Sequence, residues 1–364
     1  MLMVAGPVEI EKDILEIGAK PLEYMRTPEY TKKWHRIFKN LKYIFQTKNQ
    51  VLCMASSGTG AMEACITNFF SEGDTILYIN AGSFGKRWGD IAKKYNLKTI
   101  ELSVTFGESP NPLDVKKILE NNVDIKAVFA TLNETSCGSL QDIESIGNIL
   151  RGYKNCLFIV DCISGLCSDK FLMDEWNVDI AISASQKALA LPPGLSFIAL
   201  NDKAISFSKQ AKLKSFYFNI LDYIENASRG QTPFTPPTGI VDQLDCRLEK
   251  IINEGLENLQ KRYRDNTKHL RNGLKELGFK TFAKNPANCI TAFKTNKYNA
   301  ETLINILRED FDIEVAPSGG NLKYSFLRVG VYGNINIEDI NKFIECLSLS
   351  LIKYKEINKN NNAH

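Results

Sequence analysis

Ser183-Ala184-Ser185-Gln186-Lys187-Ala188-Leu189, followed by Leu191-Pro192-Pro193-Gly194, sets one lysine among small and hydroxyl residues. The lysine closes an apolar strand pattern and stands beside a rigid Pro-Pro-Gly loop. Upstream, Leu157-Phe158-Ile159-Val160 is the continuous apolar run of a strand buried on both faces, and it ends at a single acid, Asp161. A strand-end acid and a strand-end lysine can face one pocket of an open α/β sheet, because ligands collect where its strands finish. Pyridoxal 5'-phosphate chemistry requires that pair. The amine forms a Schiff base, and the carboxylate keeps the pyridine nitrogen protonated.

Around this stretch the chain alternates strand and helix patterns, which predicts an α/β fold with a mostly parallel central sheet. The predicted strands are 75–79, 98–102, 127–131, 157–160, 180–183 and 196–199. Amphipathic helices are predicted at 85–95, 114–121 and 142–152. From Thr238 to about Leu277 the pattern is long and helical, and its charged residues Arg262, Arg264 and Lys268 read as a solvated face. Residues 278–354 read as strand–helix–strand–helix. The expected division is a large domain over 1–240 with an N-terminal arm, then a bridging helix and smaller α+β domain over 241–354. The Asn- and Lys-rich tail, 355–364, is expected to be disordered.

A chain of 364 residues exceeds what one core usually supports. Hydrophobic content of 44%, charged content of 24% and a net charge of +3 describe an ordinary globular protein, with no electrostatic case for nucleic acid. No apolar run approaches about 18 residues, so no membrane span is expected. The 9 cysteines are odd in number and form no CxxC pair; Cys65, Cys156, Cys162 and Cys289 lie in apolar runs. Buried, reduced thiols in a cytoplasmic protein are expected, with no metal site.

Further motifs cluster at strand ends. Ser57-Gly58-Thr59-Gly60 opens a helix and can hold a phosphate on free N–H groups, or serve as a plain cap. Phe84, within Asn80-Ala81-Gly82-Ser83-Phe84-Gly85-Lys86-Arg87-Trp88, can stack on a planar cofactor or belong to the core. Thr131-Leu132-Asn133-Glu134-Thr135-Ser136 is either a wall of the cofactor ring's site or a self-bonded turn. Thr232 to Thr238, rich in proline, can be a linker. Arg328, between Leu327 and Val329, needs an anion, either a protein carboxylate or a substrate carboxylate gripped bidentately.

These motifs together resemble the class V aminotransferases of pyridoxal phosphate fold type I, nearest to the alanine–glyoxylate and serine–glyoxylate branch. The resemblance runs from Ala5-Gly6-Pro7 and Arg26-Thr27-Pro28-Glu29-Tyr30 to Leu327-Arg328-Val329-Gly330. Its most specific marks are Ser185-Gln186-Lys187-Ala188 with Pro192-Pro193-Gly194, then Asn80 to Arg87, then Thr235-Pro236-Pro237. It implies Lys187 as the Schiff-base lysine, Asp161 as partner of the pyridine nitrogen, and Ser57, Gly58, Thr59 and Gln186 around the phosphate. Phe84 would stack on the ring, Thr135 would sit beside it, Arg328 would bind the substrate carboxylate, and Thr235 would reach in from a second subunit of a homodimer. Met25 and Leu132 depart from the family, which often has His at both places.

The expected activity is transfer of an amino group between a small amino acid and a 2-oxo acid such as glyoxylate or pyruvate. The same fold also serves donors such as 2-aminoethylphosphonate, phosphoserine or aspartate. A cysteine desulfurase-like lyase is disfavoured, because Gln186 and Phe84 stand where those relatives carry histidine.

Overall fold

The computed structural model describes residues 1–318 and 322–361. All six predicted strands are present in one seven-stranded sheet. In chain order the strands begin with β1 (Gln50–Met54), β2 (Thr75–Asn80), β3 (Lys98–Ser103) and β4 (Ile125–Thr131). A two-stranded hairpin, β5 (Asn133–Glu134) and β6 (Ser139–Leu140), stands apart. Then come β7 (Leu157–Asp161), β8 (Ile180–Ala184) and β9 (Ser196–Leu200). The order across the sheet is β1-β9-β8-β7-β4-β2-β3. Every pairing is parallel except those of β9, which runs antiparallel to both β1 and β8. Because β1 shares the direction of β8, the carboxyl ends of β1, β2, β4, β7 and β8 finish on one rim. β1 lies outside the predicted set, since Gln50-Val51-Leu52-Cys53-Met54 is short and carries few β-branched residues.

Helices cover both faces: α1 (Lys12–Gly18), α2 (Pro28–Phe45), α3 (Gly58–Phe69), α4 (Ser83–Lys94), α5 (Pro112–Asn121), α6 (Ile143–Leu150), α7 (Asp202–Gln210) and α8 (Ile220–Ser228). The predicted helices correspond to α4, α5 and α6, with ends shifted by caps. Asn111 and Asp142, for instance, accept the N–H groups of Leu113 and Ser145 at 3.1 and 3.0 Å. The long helical stretch is two helices, α9 (Thr238–Glu254) and α10 (Leu256–Glu276). Gly255 breaks it with a φ of 82°, a left-handed value that glycine adopts without a Cβ penalty. Arg262 is not simply solvated: its guanidinium forks onto Glu254 at 2.8 and 3.0 Å across that break.

A second core follows, built by β10 (Ile290–Lys294), α11 (Ala300–Phe311), β11 (Ala316–Pro317), β12 (Phe326–Gly330) and α12 (Ile337–Asn361). The three strands form an antiparallel sheet in the order β10-β12-β11. Leu274, Phe293, Leu303, Leu327 and Phe343 pack there, joined by Met3 from the N-terminal segment, whereas Ala5 packs into the first core. Residues 355–361 continue α12, whose Tyr354 ring packs edge-on against Tyr298 at 5.3 Å, and Asn358 donates to the Tyr354 carbonyl at 3.0 Å. Residues 362–364 lie outside the described residues.

Candidate active site

Lys187 is delivered by the loop of the β8–β9 hairpin and is buried. Ser185 ties that loop. Its hydroxyl donates to the Pro192 carbonyl at 2.7 Å and accepts the Leu195 N–H at 3.2 Å. The lysine ammonium donates to the carbonyl of Ala5. Gly6 makes this close crossing possible. It has a φ of 103°, and a Cβ there would lie 2.7 Å from Lys187 Cδ.

Asp161 ends β7 and is buried, with Oδ1 accepting the Ile163 N–H at 2.8 Å. Oδ2 receives no donor among the described residues, so one carboxylate oxygen stands available for a protonated ring nitrogen. Burial, reinforced by the negative charge of Glu134, pushes the Asp161 carboxyl up to about 7. Burial, and then the positive charge of Arg328, lowers Lys187 to about 8. Each group also feels the other's charge, which offsets part of both shifts.

Ser57 is the N-cap of α3, yet its side chain makes no capping hydrogen bond. The N–H groups of Gly58 and Thr59 have no acceptor among the described residues. Gly58 is buried, with Ile163 beside it, so the first turn of α3 is fastened to the segment that follows Asp161. Gln186 Oε1 is buried without a partner, a costly state unless a ligand completes it. Open N–H groups, a helix N-terminus and an orphaned amide fit a phosphate. With the available Asp161 oxygen and the buried lysine, these residues fit pyridoxal phosphate.

Phe84 lies in the first turn of α4 and is half-buried. What holds it there is Glu134, a member of the Thr131–Ser136 segment to which sequence alone gives no separate role. This fully buried carboxylate accepts the N–H groups of Phe84 and Gly85 at 3.1 and 2.9 Å, and that of Ser136 at 3.1 Å. An anion at the start of α4 is stabilised by the N-terminal end of the helix dipole. The Asn-Glu-Thr-Ser segment is thus partly a turn bonded by its own side chains and partly a clamp on α4. Thr135 is buried, its hydroxyl 2.6 Å from that of Ser164.

Arg328 sits within β12 and is half-buried. It donates to the Pro317 carbonyl at 3.0 and 2.7 Å and to the Thr135 carbonyl at 3.2 Å. No carboxylate forms an ion pair with it among the described residues. Thr235 is exposed and stands apart from the others. It lines a surface groove of about 610 Å³ with Leu22, Pro192 and Pro236. Leu132 is buried beside Gly165, and Met25 is half-buried.

Lys187 and Asp161 are visible in the sequence by type and strand-end place, and Ser57 by the Ser-Gly-Thr-Gly turn that opens a helix. Glu134, Ser185 and the Ala5 carbonyl act through contacts that only the fold creates; a buried acid between two strand ends is the one clue Glu134 offers.

The family model described as Aminotransferase class-V matches residues 23–343. The chain is 34% identical over 356 residues to the "Soluble hydrogenase, small subunit" of Synechococcus sp., covering 96% of this chain and 92% of that protein. It is 30% identical over 342 residues to the L-aspartate–glyoxylate aminotransferase of Paracoccus denitrificans, covering 92% and 86%. The solved structure of alanine–glyoxylate aminotransferase from Nostoc sp. superposes with a TM-score of 0.92 at 26% identity, covering 96% and 94%. Among the described residues no helix is long and apolar enough to cross a membrane. With a family match over most of its length and relatives that align nearly end to end, the chain belongs to the class V aminotransferases, which are pyridoxal 5'-phosphate enzymes.

Proposed function

We propose that this aminotransferase moves an amino group from a small amino acid to a 2-oxo acid, with glyoxylate or pyruvate as acceptor. The observation that carries this reading is Arg328, a half-buried guanidinium held by two backbone carbonyls and without a carboxylate partner among the described residues. Substrates on both sides of the reaction bring an α-carboxylate, which a guanidinium binds through two parallel contacts. The names of the relatives support glyoxylate as acceptor: L-aspartate–glyoxylate aminotransferase in Paracoccus denitrificans and serine–glyoxylate aminotransferase in Arabidopsis thaliana.

When bound, pyridoxal phosphate supplies a carbonyl for the amine and a protonated ring that withdraws electrons from the substrate Cα. In this reading Lys187 would hold the cofactor through its amine, and the same Nζ, when free, would take up and return the proton of the substrate Cα. A lysine lowered to about 8 is neutral often enough near neutral pH to act as a base. Asp161 keeps the proton on the ring nitrogen. Ser57, Gly58, Thr59 and Gln186 would hold the phosphate, Phe84 would stack on the ring, and Thr135 would sit beside it.

Thr235 belongs to the same reading through a second copy of the chain. It is exposed, and large apolar side chains stand open on the surface, with Leu22 in its groove 70% exposed and Phe216 85% exposed. Such surfaces mark contacts between proteins. The division into a large domain over 1–240 and a bridging and smaller domain over 241–354 remains part of the proposal. So does a reducing, cytoplasmic setting, in which buried thiols such as Cys53, Cys65 and Cys162 stay unpaired.

The test is a donor panel of alanine, serine, aspartate, phosphoserine and 2-aminoethylphosphonate, each against glyoxylate and pyruvate. Fastest turnover of alanine or serine with glyoxylate is expected. Preference for 2-aminoethylphosphonate, which lacks a carboxylate, would defeat the role given to Arg328.

A further inference from the structure

Arg87 lies in the second turn of α4. Its Nη1 donates to the Thr59 hydroxyl at 2.9 Å, and its guanidinium lies over the Phe84 ring at 4.9 Å. Both contacts belong to the walls of the cofactor site. The side chain is half-buried, and no carboxylate pairs with it among the described residues. The acid one turn further along α4, Asp90, is already bound to Lys86 at 2.7 Å. Glu134 is occupied by the N–H groups at the start of the same helix. The charge of Arg87 is nevertheless felt at the centre of the site, where it favours the deprotonated form of Lys187 and the ionised form of Asp161.

A guanidinium offers five N–H donors in a planar fork, and here the hydroxyl of Thr59 takes one of them. With Lys187 and Arg328 nearby, three cationic groups stand around two buried acids, Asp161 and Glu134. The site therefore has a charge deficit that an anion would relieve. The contact with Thr59 puts Arg87 at the open N-terminus of α3, where Gly58 and Thr59 have free N–H groups and Gln186 Oε1 has no partner.

We propose that Arg87 is a cofactor ligand, donating charge-assisted hydrogen bonds to the phosphate of pyridoxal 5'-phosphate at the start of α3. The inference rests on the reading of Ser57, Gly58, Thr59 and Gln186 as the phosphate site. It adds to that site a permanent positive charge. The contacts with the Phe84 ring and the Thr59 hydroxyl restrain the side chain, so less side-chain entropy is lost when the phosphate binds.

The experiment measures cofactor affinity rather than turnover. The full-length protein, freed of cofactor, is titrated with pyridoxal 5'-phosphate and, separately, with pyridoxal, which has the ring and aldehyde but no phosphate. Arg87→Leu should weaken binding of the phosphorylated form by about tenfold to a hundredfold and of pyridoxal by no more than about twofold. Arg87→Lys should fall between, keeping charge but losing the fork, and it carries the test if the leucine variant does not fold. Unchanged affinity for pyridoxal phosphate overturns the proposal. Equal losses for both ligands overturn it as well, because Arg87 would then act on the ring through Phe84. A raised KM for aspartate with unchanged cofactor binding would reassign it to a substrate side chain. Gln186→Leu separates the levels: if it lowers the preference for the phosphorylated form and Arg87→Leu does not, only the inference about Arg87 fails. If neither variant alters that preference, the phosphate site itself is misassigned.

Discussion

Burial drives the proton affinities of Asp161 and Lys187 toward one another, to about 7 and about 8. Both groups are thereby poised near neutral pH, and each has a measurable consequence. Lys187→Ala should abolish the yellow colour of the purified protein and its transamination; a colourless variant with wild-type turnover would place the reactive amine elsewhere. For Asp161 the sign follows from linkage. Its folded value lies above the ordinary 3.8, so the native state holds a proton that the unfolded chain has lost. Stability of the cofactor-free protein should therefore fall as pH rises from about 4 to about 7, by roughly 3 to 4 kcal/mol at most from this group. Asp161→Asn should remove that fall, while kcat of the loaded enzyme drops because nothing holds the ring proton. Urea unfolding at a series of pH values reads the first effect, and steady-state kinetics the second. Arg328→Lys should lower kcat/KM for every carboxylate donor by tenfold or more, since the lone ammonium cannot form the fork. At this scale the sequence was informative wherever a residue's chemistry is carried by its type and its place at a strand end. It was silent where the partner is a backbone atom: the Ala5 carbonyl on Lys187, and the Pro317 and Thr135 carbonyls on Arg328.

Among the elements, α4 depends on a residue far from it in sequence. Glu134 replaces the side-chain cap that Gly82 cannot give, and binds two N–H groups of the first turn. Glu134→Gln keeps the shape but loses the charge and turns an NH2 group toward donors. A loss of about 2–3 kcal/mol is expected, read as a lower unfolding midpoint. The same change should redden or blue-shift tryptophan emission, because Trp88 is buried in that helix. An unaltered midpoint would show that α4 does not need the anion. Element types were legible where periodicity is strong, as in the apolar runs that became β2, β4, β7 and β8. Gly255 shows the limit. A single left-handed residue divided what periodicity alone joins, and its neighbours Glu254 and Leu256 gave no sign of where the break falls.

For the whole molecule, the surface around Thr235 sets the expectation of a C2 dimer, with each copy completing the other's phosphate site. Sedimentation at assay concentration should give twice the chain mass. Thr235→Ala should weaken cofactor binding while leaving the dimer intact, and a fully active monomer would end this reading. The two cores were legible as a change of pattern after Thr238, but Met3 in the second core was not, since a lone apolar residue near the chain's start carries no periodicity. The hairpin of β8 and β9 has a consequence for the order of assembly. Its strands meet at Ala184 and Ser196, close in sequence, whereas the parallel neighbours of β7 must bring distant segments together. Loop closure is entropically cheap for the first and dear for the second. During refolding, then, the loop that presents the reactive amine should form ahead of the pocket around it. Pyridoxal phosphate added at time zero can be captured by a chain that has not finished folding, so the yellow band should rise before activity does.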